Sequence, residues 1–465
     1  MTPSRDVHKS IAVLPFADMS RKKDQDYFCE GLAEELIDAL TKIKELRVVA
    51  RSTAFSLMDK HLDSREIGRE LQVDTIVEGS VRKAGTRLRI TAQLTDATDG
   101  SQIWSERYDR DEEDIFDIQE ELALSIVEQL KIELLGEDKE ALTRRPTESA
   151  EAYNYYLQGR FHWNQRTAAD LEAAIGCFEQ AIGEDPSYAL AYTGLADAYN
   201  VLGFYSVLAP HEAFQQAQGT AQRALELDHT LAEAHASLAF TRLYYDWDWT
   251  EAEAEFQRAI ALNPHYATAH HWYSELLALA GRLSEAATHA RQAVEADPDS
   301  LIIHVLLGWT HYYSYEYDKA IEQYLKTLKR DPEFVAARIF LGLAYVQKRR
   351  YEKAITEYER TISIFGKNSL LTELIGHAHA GAGNEEAARD ILNAMKELSK
   401  KQYVSAYYLA AICAELHEPS QMYEWLDRAL EERDNWLAFL KLDPIWHGHR
   451  SDPRFKTLLA QVGLD

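Results

Sequence analysis

Between residues 264 and 388 the small and apolar positions return on a fixed stride of 34 residues. Proline follows Asp or Asn at Pro264, Pro298 and Pro332. Alanine recurs at Ala286, Ala320, Ala354 and Ala388, and Leu307-Gly308, Leu341-Gly342 and Ile375-Gly376 keep the same phase. Such a period predicts stacked helix–turn–helix units, because one helix pair buries its apolar face only against the next. Looser units flank the central ones. The first sets Tyr156, Leu157 and Gly159 against Ala174, Phe178, Ala181 and Pro186. The second, interrupted by a longer segment at 203–213, sets Leu195, Ala196 and Tyr199 against Ala217, Ala221 and Ala224. The third sets Leu238-Ala239 against Ala252, Phe256, Ala259 and Pro264, and two more lie at 375–395 and 409–429, making about eight.

Ahead of the repeats the period changes. Residues 10–16 (SIAVLPF) form a short apolar run that predicts a buried strand. Leu32, Leu36, Ile37 and Leu40 put one apolar stripe on a helix over 26–43. Residues 46–50 read as a second strand, and Asp63 with Glu66 opens a helix over 64–71. From 75 to 108 the period falls to two. Leu88, Ile90, Ala92 and Leu94 alternate with Arg87, Arg89, Thr91 and Gln93, between turns at Ala84-Gly85-Thr86 and at 96–100. That is an antiparallel meander with one buried and one wet face. The acidic run 109–114 then starts a helix reaching about Leu135, its carboxylates favoured by the positive end of the helix dipole.

The expected fold class is therefore an α/β amino-terminal domain over 8–136, with a mixed sheet, an antiparallel meander and three helices. A polar linker follows over 137–149, then an all-α solenoid over 150–436 and a capping segment over 437–465. In that last segment Asp452-Pro453 starts a short amphipathic helix suited to seal the last repeat's apolar edge.

Composition narrows the function classes. A length of 465 residues requires more than one folding unit, and 46% hydrophobic with 27% charged residues is a globular balance. The formal charge of −26 repels phosphate backbones and anionic lipid, so neither nucleic acid nor membrane is an expected direct partner. Cys29, Cys177 and Cys413 are far apart and lack metal-type spacing, which fits a reducing compartment. No apolar run is long enough to span a bilayer, and residues 1–9 lack a signal-peptide core, so a cytoplasmic location is expected.

Leu-Gly plus an aromatic on the first helix, alanine–aromatic–alanine on the second and a closing proline resemble the tetratricopeptide repeat (TPR) family. The first 135 or so residues resemble the amino-terminal domain of TolB and the related FlgO-like domains. That resemblance rests on Ile11-Ala-Val-Leu-Pro-Phe16, residues 28–37, Arg65-Glu-Ile-Gly-Arg-Glu-Leu71 and Glu78-Gly-Ser-Val-Arg82. It continues through Arg89-Ile-Thr-Ala-Gln-Leu94 and Trp104-Ser-Glu-Arg-Tyr108. The pairing implies a bacterial or archaeal signalling context, in which a kinase, cyclase or winged-helix output domain often precedes these parts. Here the chain starts at the first strand, so the output is expected from a partner.

No catalytic signature, metal-ligand set or cofactor motif is found, so catalytic, metal and cofactor sites are all expected to be none. Gly381-Ala-Gly-Asn384 falls on an inter-helix turn. His265, His270, His271 and His289 cluster in one repeat but spread over two helices, which favours packing over a metal site. Arg82, Arg87, Arg89 and Arg107 are expected to pair across strands with Glu78, Glu106 and similar carboxylates rather than to form a basic patch for an anionic ligand. Residues 109–114 lack the alternation and central glycine of a calcium loop.

Aromatic residues exceed what repeat packing requires, at Tyr244, Tyr245, Trp247 and Trp249 and at Trp309, Tyr312, Tyr313, Tyr315 and Tyr317. In the TPR family the first helix of each unit lines a concave groove. By that phase the partner-binding row is Phe240, His271, Glu275, Trp309, Tyr312, Leu343 and Val346, extended by Tyr156, Arg160, Asp197, Asn200 and His377. It lacks the Lys-Asn-Lys/Arg set that clamps a terminal carboxylate, so a protein or peptide with apolar anchors is the expected partner. The chain reads as a non-enzymatic interaction scaffold of unknown oligomeric state. The alternative is a ligand-sensing module, in which the α/β domain binds a small molecule and modulates a partner kinase, cyclase or transcription regulator.

Overall fold

The structure, a computed structural model, describes residues 9–43, 45–57, 60, 62–132, 145–366 and 368–464. The chain divides into two compact units: 1–164 with 176–191 and 295–300, and 165–175 with 192–294 and 301–465.

In the first unit the apolar run becomes β1 (Lys9–Val13), in which Ile11, Ala12 and Val13 are fully buried. Next come β2 (Ala17–Asp18), α1 (Asp26–Thr41), β3 (Leu46–Val48), α2 (Arg51–Phe55) and α3 (Ser64–Leu71). The meander is β4 (Thr75–Ala84), β5 (Arg87–Asp96) and β6 (Gln102–Asp111), followed by α4 (Ile115–Gln129). One sheet in the order β3-β1-β4-β5-β6 results, with β2 paired to β4 off this path. β1 runs parallel to β3 and β4, whereas β4, β5 and β6 are antiparallel. Leu88, Ile90, Ala92 and Leu94 are fully buried while Arg87 and Arg89 are exposed, the alternation the sequence predicts. At the start of α3, Asp63 accepts from the Arg65 and Glu66 amides while Glu66 reaches back to the Asp63 amide, a complete capping box. The short elements β2 and α2 were not expected.

The polar stretch expected as a linker is partly outside the described residues, which resume at Arg145. The first repeat helix, α5 (Ala150–Gln165), belongs to the first unit through Asn164. Its Tyr153 ring packs 5.1 Å from Phe116 of α4. Tyr27 donates to Asn154 at 2.9 Å, and Arg160 pairs with Glu34 of α1 at 2.9 Å. At Gly31 of α1, an added Cβ would press on the Leu157 side chain at 2.7 Å, so the absence of a side chain there is what lets the two helices close.

Helix pairs continue the chain. They are α5 with α6 (Ala168–Glu184), α7 (Ala189–Phe204) with α8 (Pro210–Leu227), α9 (Ala232–Thr241) with α10 (Trp249–Leu262), and α11 (Ala267–Leu279) with α12 (Leu283–Ala296). Then come α13 (Leu301–Tyr313) with α14 (Tyr317–Arg330), α15 (Val335–Gln347) with α16 (Tyr351–Phe365), α17 (Ser369–Gly381) with α18 (Glu385–Leu398), and α19 (Ala406–Glu415) with α20 (Pro419–Glu431). The fixed-phase alanines Ala286, Ala320, Ala354 and Ala388 lie at 2% exposure or less, on the buried stripe of each second helix. After α20 the chain makes 3₁₀ turns at Asn435–Phe439 and Pro444–Trp446 and ends in α21 (Pro453–Gln461), capped by Asp452.

Candidate functional site

The residues of the expected partner-binding row lie on the first helices of the pairs. Most of that row is buried. Phe240, His271, Trp309, Tyr312, Leu343 and Val346 are all below 8% exposure. Asp197 and Asn200, 2% and 0% exposed, serve the next repeat: Asp197 accepts from the Ser237 hydroxyl, and Asn200 donates to the Ser237 carbonyl at 3.0 Å and accepts from Thr241 at 2.8 Å. In the first unit Tyr156 packs against Phe178 and Tyr188, and the Arg160 guanidinium sits 4.8 Å over the Trp163 ring as well as on Glu34. His377 is buried near Glu415.

Two segments of the second unit cover its part of this row. One is the connection after α7, held where Asn368 donates to the Tyr205 carbonyl at 2.8 Å and where the Tyr205 and Phe365 rings meet at 5.9 Å. The other is the carboxy-terminal segment. Phe439 lies 5.4 Å from Trp309, 5.8 Å from Tyr244 and 6.1 Å from Tyr313. Trp436 packs on Phe204 and Tyr408, Trp446 on Tyr407, and Trp249 donates its indole N–H to the Val462 carbonyl at 2.8 Å. The segment thus packs on the last helix pair and also runs back to the third. Much of the aromatic excess goes into this internal contact, which leaves Trp309 and Tyr312 only 2% and 1% exposed.

A cleft survives between the covers. Four expected residues line it, Phe240, His271, Glu275 and Trp309, together with Arg166 and Tyr205. The walls are largely aromatic, a composition suited to an apolar anchor. Its carboxylate, Glu275, accepts from the Tyr244 hydroxyl at 2.8 Å and lies 3.0 Å from His271 Nε2. A second cleft of about 880 Å³ shares Arg166, Tyr205 and Ile302 with the first and adds Asp331 and Glu333. Arg166 and the loop around Tyr205 carried no repeat-phase signal and were not anticipated as site residues.

The remaining candidates resolve into packing. His270 and His289 stack with Nδ1 atoms 2.9 Å apart, and burial lowers the pKa of both rings. His271 is engaged by Glu275 and His265 is exposed; no metal-holding cluster is found among the described residues. On the sheet, Arg87 and Arg89 pair with Asp109 rather than with Glu78 or Glu106, because the β5–β6 register sets Arg89 opposite Asp109. Glu78 instead faces Gln93, which donates to it at 2.6 Å, and Arg82 donates to the Met19 carbonyl at 3.2 Å. The front of the acidic run is thus strand, and helix α4 begins only after it.

Comparison with known proteins gives separate matches for the two halves. Residues 7–125 match the family described as HilA/YgeH-like transcriptional regulator, second domain, and residues 238–300 and 305–369 match the tetratricopeptide repeat. The chain is 36% identical over 239 residues to a Rhizobium meliloti (strain 1021) protein named "Putative adenylate cyclase 3", covering 51% of this chain and 40% of that one. It is 26% identical over 166 residues to the transcriptional regulator HilA of Salmonella typhimurium, covering 36% of this chain and 30% of HilA. The chain thus spans less than half the length of the curated relatives it matches. A solved thermophilic TPR protein of Thermus thermophilus aligns at 20% identity and a TM-score of 0.36, covering 42% of this chain and 99% of that one. No described helix is long and apolar enough to cross a membrane. The chain carries tetratricopeptide repeats behind an α/β domain similar to the second domain of HilA/YgeH-like transcriptional regulators.

Proposed function

We propose that this chain is a non-enzymatic, cytoplasmic interaction scaffold of prokaryotic signalling or regulation, whose repeats bind a segment of a partner protein. The observation that carries this reading is the aromatic cleft lined by Phe240, His271, Glu275 and Trp309 on the face of the first helices. Stacked repeats hold that face in place, so a partner's apolar anchor meets a preformed surface. The relatives support the regulatory setting, being named as a cyclase and a transcriptional regulator. The TolB/FlgO likeness of the first domain is a reading of its residues and adds no role beyond this. Photo-crosslinking from the half-buried position 302 inside host cells, with position 325 on an exposed helix face as control, tests the proposal. A discrete protein adduct from 302 and none from 325 is the expected result. Adducts from neither position, or equally from both, would show that the cleft is not the working surface.

A further inference from the structure

The two clefts share Arg166, Tyr205 and Ile302, so they are lobes of one site with opposite character. The inner lobe is walled by Phe204, Phe240, Trp272, Trp309 and Phe340. The outer lobe carries Asp331 and Glu333 on the turn between α14 and α15. That turn is rigid: Arg338, 4% exposed, donates from Nε to the Pro332 carbonyl at 2.9 Å and pairs with Glu357. Within it the Glu333 amide donates to Asp331 at 2.8 Å. The opposite wall is equally fixed, since Asn368 holds the Tyr205 carbonyl. A fixed rim of this kind loses little freedom when a ligand arrives.

Charge then selects the ligand. Across both lobes the acidic groups are Glu275, Asp331 and Glu333, against Arg166 and a histidine already engaged by Glu275. The whole chain carries −26. An approaching cationic segment is steered and an acidic one repelled. We propose that the site takes one extended, basic segment of a partner protein, with an apolar or aromatic anchor in the inner lobe and Lys or Arg side chains over Asp331 and Glu333. This rests on the scaffold reading and adds the partner's chemistry to it.

A random peptide library displayed on phage and selected on the full chain tests the assignment, with recovered peptides then labelled and measured by fluorescence anisotropy. Selection is expected to enrich peptides combining an aromatic or large aliphatic residue with Lys or Arg. Their affinity is expected to fall with added salt, and to fall about tenfold or more for the Asp331→Lys/Glu333→Lys double variant. Both side chains lie outside the core; Asp331→Asn/Glu333→Gln, which removes both charges but keeps an acceptor for the Glu333 amide, is expected to lose affinity in the same direction, with folding of both double variants checked by circular dichroism. Acidic or uncharged winners, an unchanged affinity in the double variant, or no enrichment at all would overturn the inference. A protein adduct from position 302 that persists in the double variant would remove this inference alone; loss of the adduct in the unaltered chain would remove the scaffold reading as well.

Discussion

Gly308 and Gly342 are the points where a single methyl group decides whether a repeat closes. A Cβ at Gly308 would overlap the Tyr324 ring, and one at Gly342 the Tyr358 ring, both of them fully buried. Gly308→Ala is expected to cost about 1–3 kcal/mol through overpacking, read as a lower urea midpoint. Gly219 is the control: it lies on an exposed face of α8 with nothing near its Cβ, so Gly219→Ala is expected to gain about 0.5–1 kcal/mol. These glycines were legible in the sequence because a fixed-phase Leu-Gly has a packing reason at every recurrence. Glu373 was not. It is fully buried in α17, and burial, then the nearby Asp434, holds its pKa well above the usual 4.5 against the lowering by the Ser405 amide and the Ser369 hydroxyl. The folded chain therefore keeps a proton that the unfolded chain releases above that value. Stability from this group is complete below pH 4.5 or so and is lost as pH rises toward the folded pKa. Glu373→Gln is expected to remove that loss, so that its thermal midpoint overtakes the parent's as pH is raised. A parallel pH profile for the two proteins would refute the account.

At the scale of elements, repeat helices were readable because each carries its own period, whereas what covers them was not. The sequence Asn435-Trp-Leu-Ala-Phe439 has too many apolar residues for a simple end cap, and that excess was the available signal. Phase fixes which side of a helix faces inward; it carries no information on a distant segment that returns to lie there. Phe439, fully buried among Tyr244, Trp309 and Tyr313, concentrates this contact. Phe439→Ala is expected to cost about 3–5 kcal/mol, measured by urea unfolding. The first repeat helix presents the same problem in reverse. Its Tyr153, Leu157 and Arg160 complete the face of α1 and α4, although its repeat phase alone assigns it to the solenoid. We propose that the first folding unit runs through α5 and the 176–191 stretch. A fragment of 1–191 is then expected to give a sharper, higher thermal transition than one of 1–136. Equal transitions would place the boundary before α5.

For the whole molecule, charge is the property that sequence states outright and structure only distributes. On the sheet, Arg87 and Arg89 share Asp109, and Arg110 pairs with Glu121. The clefts of the second unit carry Glu275, Asp331 and Glu333 against Arg166. A protein that binds a phosphate backbone needs clustered cations whose counterion release drives association. A chain at −26 has the opposite field. In an electrophoretic mobility assay with mixed-sequence duplex DNA, no retardation is expected even at low ionic strength, where screening is weakest and any basic patch shows itself most clearly. Retardation that disappears with added salt would reveal a cationic surface that these pairings do not neutralise. It would also move the working contact from protein segments to nucleic acid, because an acidic cleft and a DNA-binding face cannot share one approach path.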